Sequence, residues 1–264
     1  MITSAPDLLA TIVAATRRIT EVREAERPAA ALARAQTREP RGAAFVDALR
    51  NGPAPRIIAE CKRRSPSRGI LRVDYAPADH AVAYMKAGAA AISVLTEPTF
   101  FDGAPGHLAA VRAVVDLPLL RKDFIVSEYQ LLEAAVLGAD AVLLIVGALQ
   151  PAELRSLLRE ASAMHLASLV EVHDLAELQV ALDAGVELIG VNSRNLRTLE
   201  VNISVLDRVA ETLPREVVAV AESGIRHAAD VQRLGEAGYH AFLVGERLIA
   251  QADPGAALRE LRRL

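Results

Sequence analysis

"SEYQLLEAAVLGADAVLLIVG", Ser127 to Gly147, contains the unit on which the fold reading turns. Its first half follows a helical pattern and stops at Gly138, where a helix can end in the left-handed region that glycine enters cheaply. "DAVLLIVG" follows, apolar without alternation, as in a strand covered on both faces and hence in a parallel sheet. The same unit recurs on either side. "RIIAECK", "AAISVLTE" and "LPLLRKDF" precede it; "LASLVEVH", "ELIGVNSR", "VVAVAESG" and "HAFLVGE" follow it. Helical stretches such as "DLAELQVALDAGV" lie between, and Gly88, Gly185 and Gly238 repeat the stop at Gly138. Eight such runs alternating with helices predict an α/β fold, a (β/α)₈ barrel over residues 51–264. An open doubly wound sheet would carry a glycine-rich turn after its first strand, where this chain has "CKRRSPSRG". Residues 1–50 read as a long helix, a Pro- and Ala-rich connector and a short helix at "GAAFVDALR". They are too short to bury much core alone, so a helical extension capping the barrel is expected.

The totals narrow the function classes. With 264 residues, 52% of them hydrophobic, the chain can bury a large core. A net charge of −3 gives no basic field for nucleic acid. No run is long enough to span a membrane and no signal peptide is apparent, which predicts a cytoplasmic protein. Cys61, the single cysteine, fits a reducing compartment. The six histidines show no ligand spacing, so no metal is expected. His173 reads as a turn residue before a helix that Asp174 can cap.

Chemistry in a barrel belongs where strands end. Glu60 and Lys62 close the first run, Lys122 the third, Glu171 the fifth, Asn192 and Arg194 the sixth, Glu222 and Ser223 the seventh. Alternation puts Glu60 with Lys62, Asn192 with Arg194, and Lys122 with Phe124, and it turns Cys61 toward the helices. The bland reading, a first solvated loop residue, suits any one of these charges better than the whole set. Lysine occurs only at 62, 86 and 122 among 30 cationic residues. Arginine holds its proton too tightly for turnover, whereas an ammonium can be tuned, so Lys62 and Lys122 are candidate proton donors. Lys86, on a helix, reads as a surface charge. Ser223, Gly224 and Gly245 fall after the seventh and eighth runs, where barrels grip phosphate.

With these residues in view, the chain resembles the indole-3-glycerol phosphate synthase family over nearly its whole length. "IAECKRRSPSRG", "SVLTEPTFFDG", "LLRKDFIVSEYQ", "LVEVHD", "GVNSRNLRTLEV", "AESGI" and "LVGE" carry the resemblance in order. It implies a lyase of tryptophan biosynthesis, acting without cofactor on 1-(2-carboxyphenylamino)-1-deoxyribulose 5-phosphate. Lys122 would be the acid in ring closure, Glu171 the base, and Lys62 a substrate anchor and acid in dehydration. Glu60, Asn192 and Glu222 would hold the lysines and sugar hydroxyls. Arg194, Ser223, Gly224, Gly245, Glu246 and Ser65 would contact anionic and hydroxyl groups, while Phe101, Phe124 and Leu143 would wall the aromatic ring. Arg247 departs from the small residue of many relatives, which puts its side chain's help in question. The sequence leaves the oligomeric state open, a monomer included, and likewise contacts to other tryptophan-pathway enzymes. Two other readings stand beside this one: a Schiff-base aldolase using Lys122, and a non-catalytic barrel serving as a binding subunit.

Overall fold

A computed structural model describes residues 7–263; residues 1–6 of the expected extension and residue 264 lie outside the described residues. Eight strands close into one barrel: β1 (Arg56–Cys61), β2 (Ala91–Leu95), β3 (Leu119–Lys122), β4 (Ala141–Ile145), β5 (Ala167–Val172), β6 (Leu188–Asn192), β7 (Val218–Glu222) and β8 (Ala241–Val244). Each pairs in parallel with its neighbours, and β8 returns to β1 with Ile58 opposite Leu243. Helices α1 (Leu8–Glu26), α2 (Ala29–Ala33) and α3 (Gly42–Arg50) precede the barrel. Around it run α4 (Pro77–Lys86), α5 (Pro98–Phe101), α6 (Pro105–Arg112), α7 (Glu128–Val136), α8 (Pro151–Ala163) and α9 (Leu175–Asp183). The ring is completed by α10 (Ser204–Ala210), α11 (Ala228–Glu236), α12 (Glu246–Ile249) and α13 (Pro254–Leu261).

The unalternating runs have a direct cause. Every residue of β2, β4, β6 and β7 is buried, half against the helices and half inside the barrel. Ile57, Ala59 and Cys61 join the outer layer with Tyr84 and Leu258, while Ile58 joins Leu120, Leu143, Leu169 and Val220 inside. Cys61 is thus a packing residue, as alternation predicts. Gly88, Gly138, Gly185 and Gly238 all take positive φ just past a helix.

Residues 8–50 touch both ends of the barrel. Phe45 and Leu49 of α3 are fully buried beneath the strands' N-terminal ends. Gly42 permits this approach, because a Cβ there would meet Ala167 N at 2.5 Å. Leu9 and Ile12 of α1 pack with the interior cluster that also holds Phe124 and Ile145, near the C-terminal mouth. The connector differs from the expectation in one detail: its alanines form the short helix α2, which packs on α7.

Candidate active site

The strand ends carrying charge open into one cleft at the C-terminal mouth. Glu60, Lys62, Lys122, Glu171, Asn192 and Glu222 all line it. Register and pleat bring them together: Asn192 pairs with Glu222, and Glu171 with Ile145, on strands whose alternate residues face inward. Space matters too. A Cβ on Gly190 would come within 2.1 Å of Glu222, and one on Gly245 within 2.1 Å of Glu60. Two inward glycines therefore leave room for two carboxylates.

The charges form a connected set. Lys62 Nζ lies 2.6 Å from Glu60 Oε2, and Lys122 Nζ lies 3.3 Å from Glu171 Oε2 and 3.8 Å from Glu222 Oε2. Burial alone would favour a neutral amine at Lys122, but Glu171, Glu222 and Glu60 outweigh it and hold the ammonium above its ordinary range. Burial would likewise raise Glu171, yet Lys122 and then His173 keep it well below the usual carboxylate range. Glu222 goes the other way, raised by burial and by the neighbouring Glu171. One carboxylate is ionised and the other resists ionisation, the divergence expected of a proton-transfer site.

A second group frames the entrance. Arg194 NH1 donates to Ser67 Oγ and to Leu199 O, both at 3.1 Å, and its NH2 reaches Glu246 at 3.4 Å. Arg68 pairs with the same carboxylate at 2.6 Å. The Glu246 side chain is therefore engaged by two arginines. Ser223 and Gly224 both take positive φ after β7, and Gly245 precedes α12. Ser65 is buried in a small antiparallel ribbon, Arg64–Ser65 against Gly69–Ile70, rather than loose in a loop. Phe101 and Phe124 stand with ring centroids 6.1 Å apart beside Leu143, giving the cleft an apolar side. Glu97 fixes Phe101 by accepting from the backbone N–H of Thr99, Phe100 and Phe101. The Arg247 guanidinium is turned away, bonded to Arg226 O and Glu260.

Three carboxylates, two lysines, an apolar wall and the turns after β7 and β8 thus share one mouth. The family model for indole-3-glycerol phosphate synthase matches residues 9–261. The chain belongs to the indole-3-glycerol phosphate synthase family. It is 52% identical over 206 residues to the indole-3-glycerol phosphate synthase of Carboxydothermus hydrogenoformans, covering 78% of each chain. It is 47% identical to indole-3-glycerol phosphate synthase 2 of Streptomyces coelicolor, over 96% of this chain and 98% of that one. Among solved structures it resembles a thiamine phosphate pyrophosphorylase from Pyrococcus furiosus, with a TM-score of 0.61 and 18% identity, over 79% of this chain and 94% of that one. That likeness speaks for the fold alone.

All fifteen residues singled out in the sequence line the cleft of this family member. Lys86 ends α4 at the surface, away from them. The sequence reading missed Ser67, which holds Arg194, and the part played by His173. Asp174 does cap α9, accepting from Glu177 N at 2.8 Å. His173 does more than turn the chain: its Nε2 lies 3.2 Å from Glu171 Oε1. Alternation held the signal, since Glu171 and His173 are two apart as Glu60 and Lys62 are. Among the described residues no helix is long and apolar enough to cross a membrane, and no group of three or more His, Cys, Asp or Glu is placed to hold a metal.

Proposed function

We propose that this chain converts 1-(2-carboxyphenylamino)-1-deoxyribulose 5-phosphate to indole-3-glycerol phosphate, carbon dioxide and water, as a carboxy-lyase of tryptophan biosynthesis. The observation that carries the reading is the meeting of Lys62, Lys122, Glu60, Glu171 and Glu222 around one cleft that also has an aromatic side. The aromatic carbon bearing the carboxylate attacks the sugar ketone while Lys122, charged before substrate arrives, protonates the ketone oxygen. The cationic ring then serves as electron sink for loss of carbon dioxide. Lys62 protonates the departing hydroxyl, and Glu171 takes the proton whose removal completes the aromatic indole. Glu60, Asn192 and Glu222 orient the lysines and the sugar hydroxyls. Arg194, Ser65, Ser223 and the backbone at Gly224, Gly245 and Glu246 hold the phosphate and nearby hydroxyls, with Phe101, Phe124 and Leu143 against the aromatic ring. Each acid–base step of this kind contributes about 10²- to 10⁴-fold.

In this reading residues 51–264 are the catalytic barrel and residues 1–50 a helical extension capping it, which accords with α1 and α3 packing into the barrel's interior cluster. A cytoplasmic setting accords with the buried, unpaired Cys61. A Schiff-base aldolase is disfavoured because its lysine must become a neutral amine, whereas three carboxylates keep Lys122 charged. The test is direct. Adding the substrate should produce indole fluorescence, unobscured because the chain contains no Trp. Well-folded protein that releases neither the indole product nor carbon dioxide overturns the proposal, as does covalent trapping of Lys122 by borohydride with a keto-sugar phosphate.

A further inference from the structure

Glu171 has a basic side chain on each of its two oxygens. Lys122 approaches Oε2 from inside the cleft, and His173 approaches Oε1 from behind. His173 lies just beyond β5, mostly buried and outside the residues lining the cleft. Its other nitrogen, Nδ1, lies 2.9 Å from Glu177 Oε2 in the first turn of α9. The same Glu177 oxygen accepts the backbone N–H of His173 at 2.8 Å. Gly147, past the end of β4, leaves Glu177 its space, because a Cβ there would sit 2.7 Å from Oε1. A turn-forming role needs only the backbone N–H. It does not account for a buried ring wedged between two carboxylates.

We propose that His173 is a positioning residue, a histidinium held by Glu177 that keeps Glu171 ionised and turns Oε2 toward the substrate. This rests on the reading of Glu171 as the base. The surrounding charges explain the need. Glu171 lies against Lys122 on β3 and Glu222 on β7, and Glu60 on β1 acts on both of those neighbours; Lys62 is already paired with Glu60. With carboxylates in excess, a second cation is required to keep the base from sharing a proton with Glu222. Burial opposes charge on the ring, but Glu171 and Glu177 overcome it and raise the His173 pKa to about 10. The contact with Oε1 is electrostatic rather than an aligned hydrogen bond.

The experiment compares pH profiles of kcat and kcat/KM for wild type, His173→Gln, His173→Leu and Glu177→Gln, using indole fluorescence. The leucine variant should lose about tenfold in kcat, less than the ~10²-fold or more that the base itself supplies, with KM little changed. Its acid limb should move up by about one pH unit or more, since Glu171 loses an opposite charge. His173→Gln, which keeps a donor without charge, should fall between leucine and wild type. Glu177→Gln preserves an acceptor but lowers the histidine pKa toward its ordinary value. Its activity should therefore decline with rising pH through the neutral range, about two to three units below any such decline in wild type. A merely structural role would lower stability without moving either limb. Superimposable profiles for wild type and Glu177→Gln, in an active wild type, overturn the inference; should His173→Leu fail to fold, Glu177→Gln decides alone. A wild type that forms no indole instead overturns the assigned reaction, so the two failures are distinguishable.

Discussion

The two ends of this barrel each bury acids among bases, and they do so in opposite ways. At the N-terminal end Asp140, fully buried, is saturated. Oδ1 accepts from Arg38 NH2 at 2.6 Å and Arg41 N at 2.9 Å, and Oδ2 from Arg112 NH1 at 3.1 Å and Leu119 N at 3.0 Å. At the mouth Glu171 and Glu222 are as deeply buried, yet no aligned hydrogen bond reaches Oε1 of either. Cations outnumber the acid at one end, and acids crowd Lys122 at the other. A buried charge with every lone pair used is a fastening; one with capacity unspent, kept in place by the fold around it, is available to a ligand or a proton. The same contrast occurs within one strand. Arg121 points outward from β3 and spends its donors on Asp123, Glu133, Thr96 and Gln130 O, while Lys122 points inward to the cleft.

Breaking the mouth should give the largest effect. Lys122→Arg keeps the charge but withholds the proton, so kcat measured by indole release should fall about 10²- to 10⁴-fold in a folded protein. Near-normal turnover would remove Lys122 from the acid role. Breaking the opposite end should cost stability and spare chemistry. Asp140→Ala removes a fully buried acceptor from Arg38, Arg112 and the backbone N–H of Arg41 and Leu119, and chemical denaturation should show a loss of about 1–3 kcal/mol. Reduced kcat per folded molecule would mean that the two ends are not separable. Arg194→Ala sharpens the distinction between anchoring and reacting groups. Losing a charge-assisted hydrogen bond of about 1.5–3 kcal/mol should raise KM roughly ten- to a hundredfold while kcat holds. A fall in kcat with KM unchanged would contradict an anchoring role.

The smallest effect should be a gain. Because the Glu222 carboxyl is raised, its ionisation opposes folding. That cost is absent below the unfolded-state value and grows as pH rises toward the folded-state value. Glu222→Gln should therefore raise the thermal midpoint at neutral pH by an amount worth about 1 kcal/mol or more, with reduced turnover, and the gain should vanish below about pH 4. A variant less stable than wild type at pH 7 would show that Glu222 fastens the mouth as Asp140 fastens the base.

The barrel and most of its mouth were legible because they depend on local periodicities. A positive φ after a helix calls for glycine at 138, and two-sided burial makes "AVLLI" apolar throughout. Alternation within a strand sets the shared direction of Glu60 and Lys62. His173 obeys the same alternation, yet its meaning depends on Glu177 reaching back from the next helix. Asp140 gave no signal at all, since its partners Arg38 and Arg112 lie 102 and 28 residues away. The grip of Ser67 on Arg194 spans 127 residues and follows only from how two loops lean over the opening.

The amino-acid order by itself determined which elements form, which way each strand residue points, and which strand ends carry amines and acids. Only the closed barrel decided that Lys122, on β3, meets Glu171 on β5 and Glu222 on β7. The physical reason is that propensity and pleat act over a few residues, whereas the field at an ionisable group is summed over everything within several ångströms, whatever its distance along the chain.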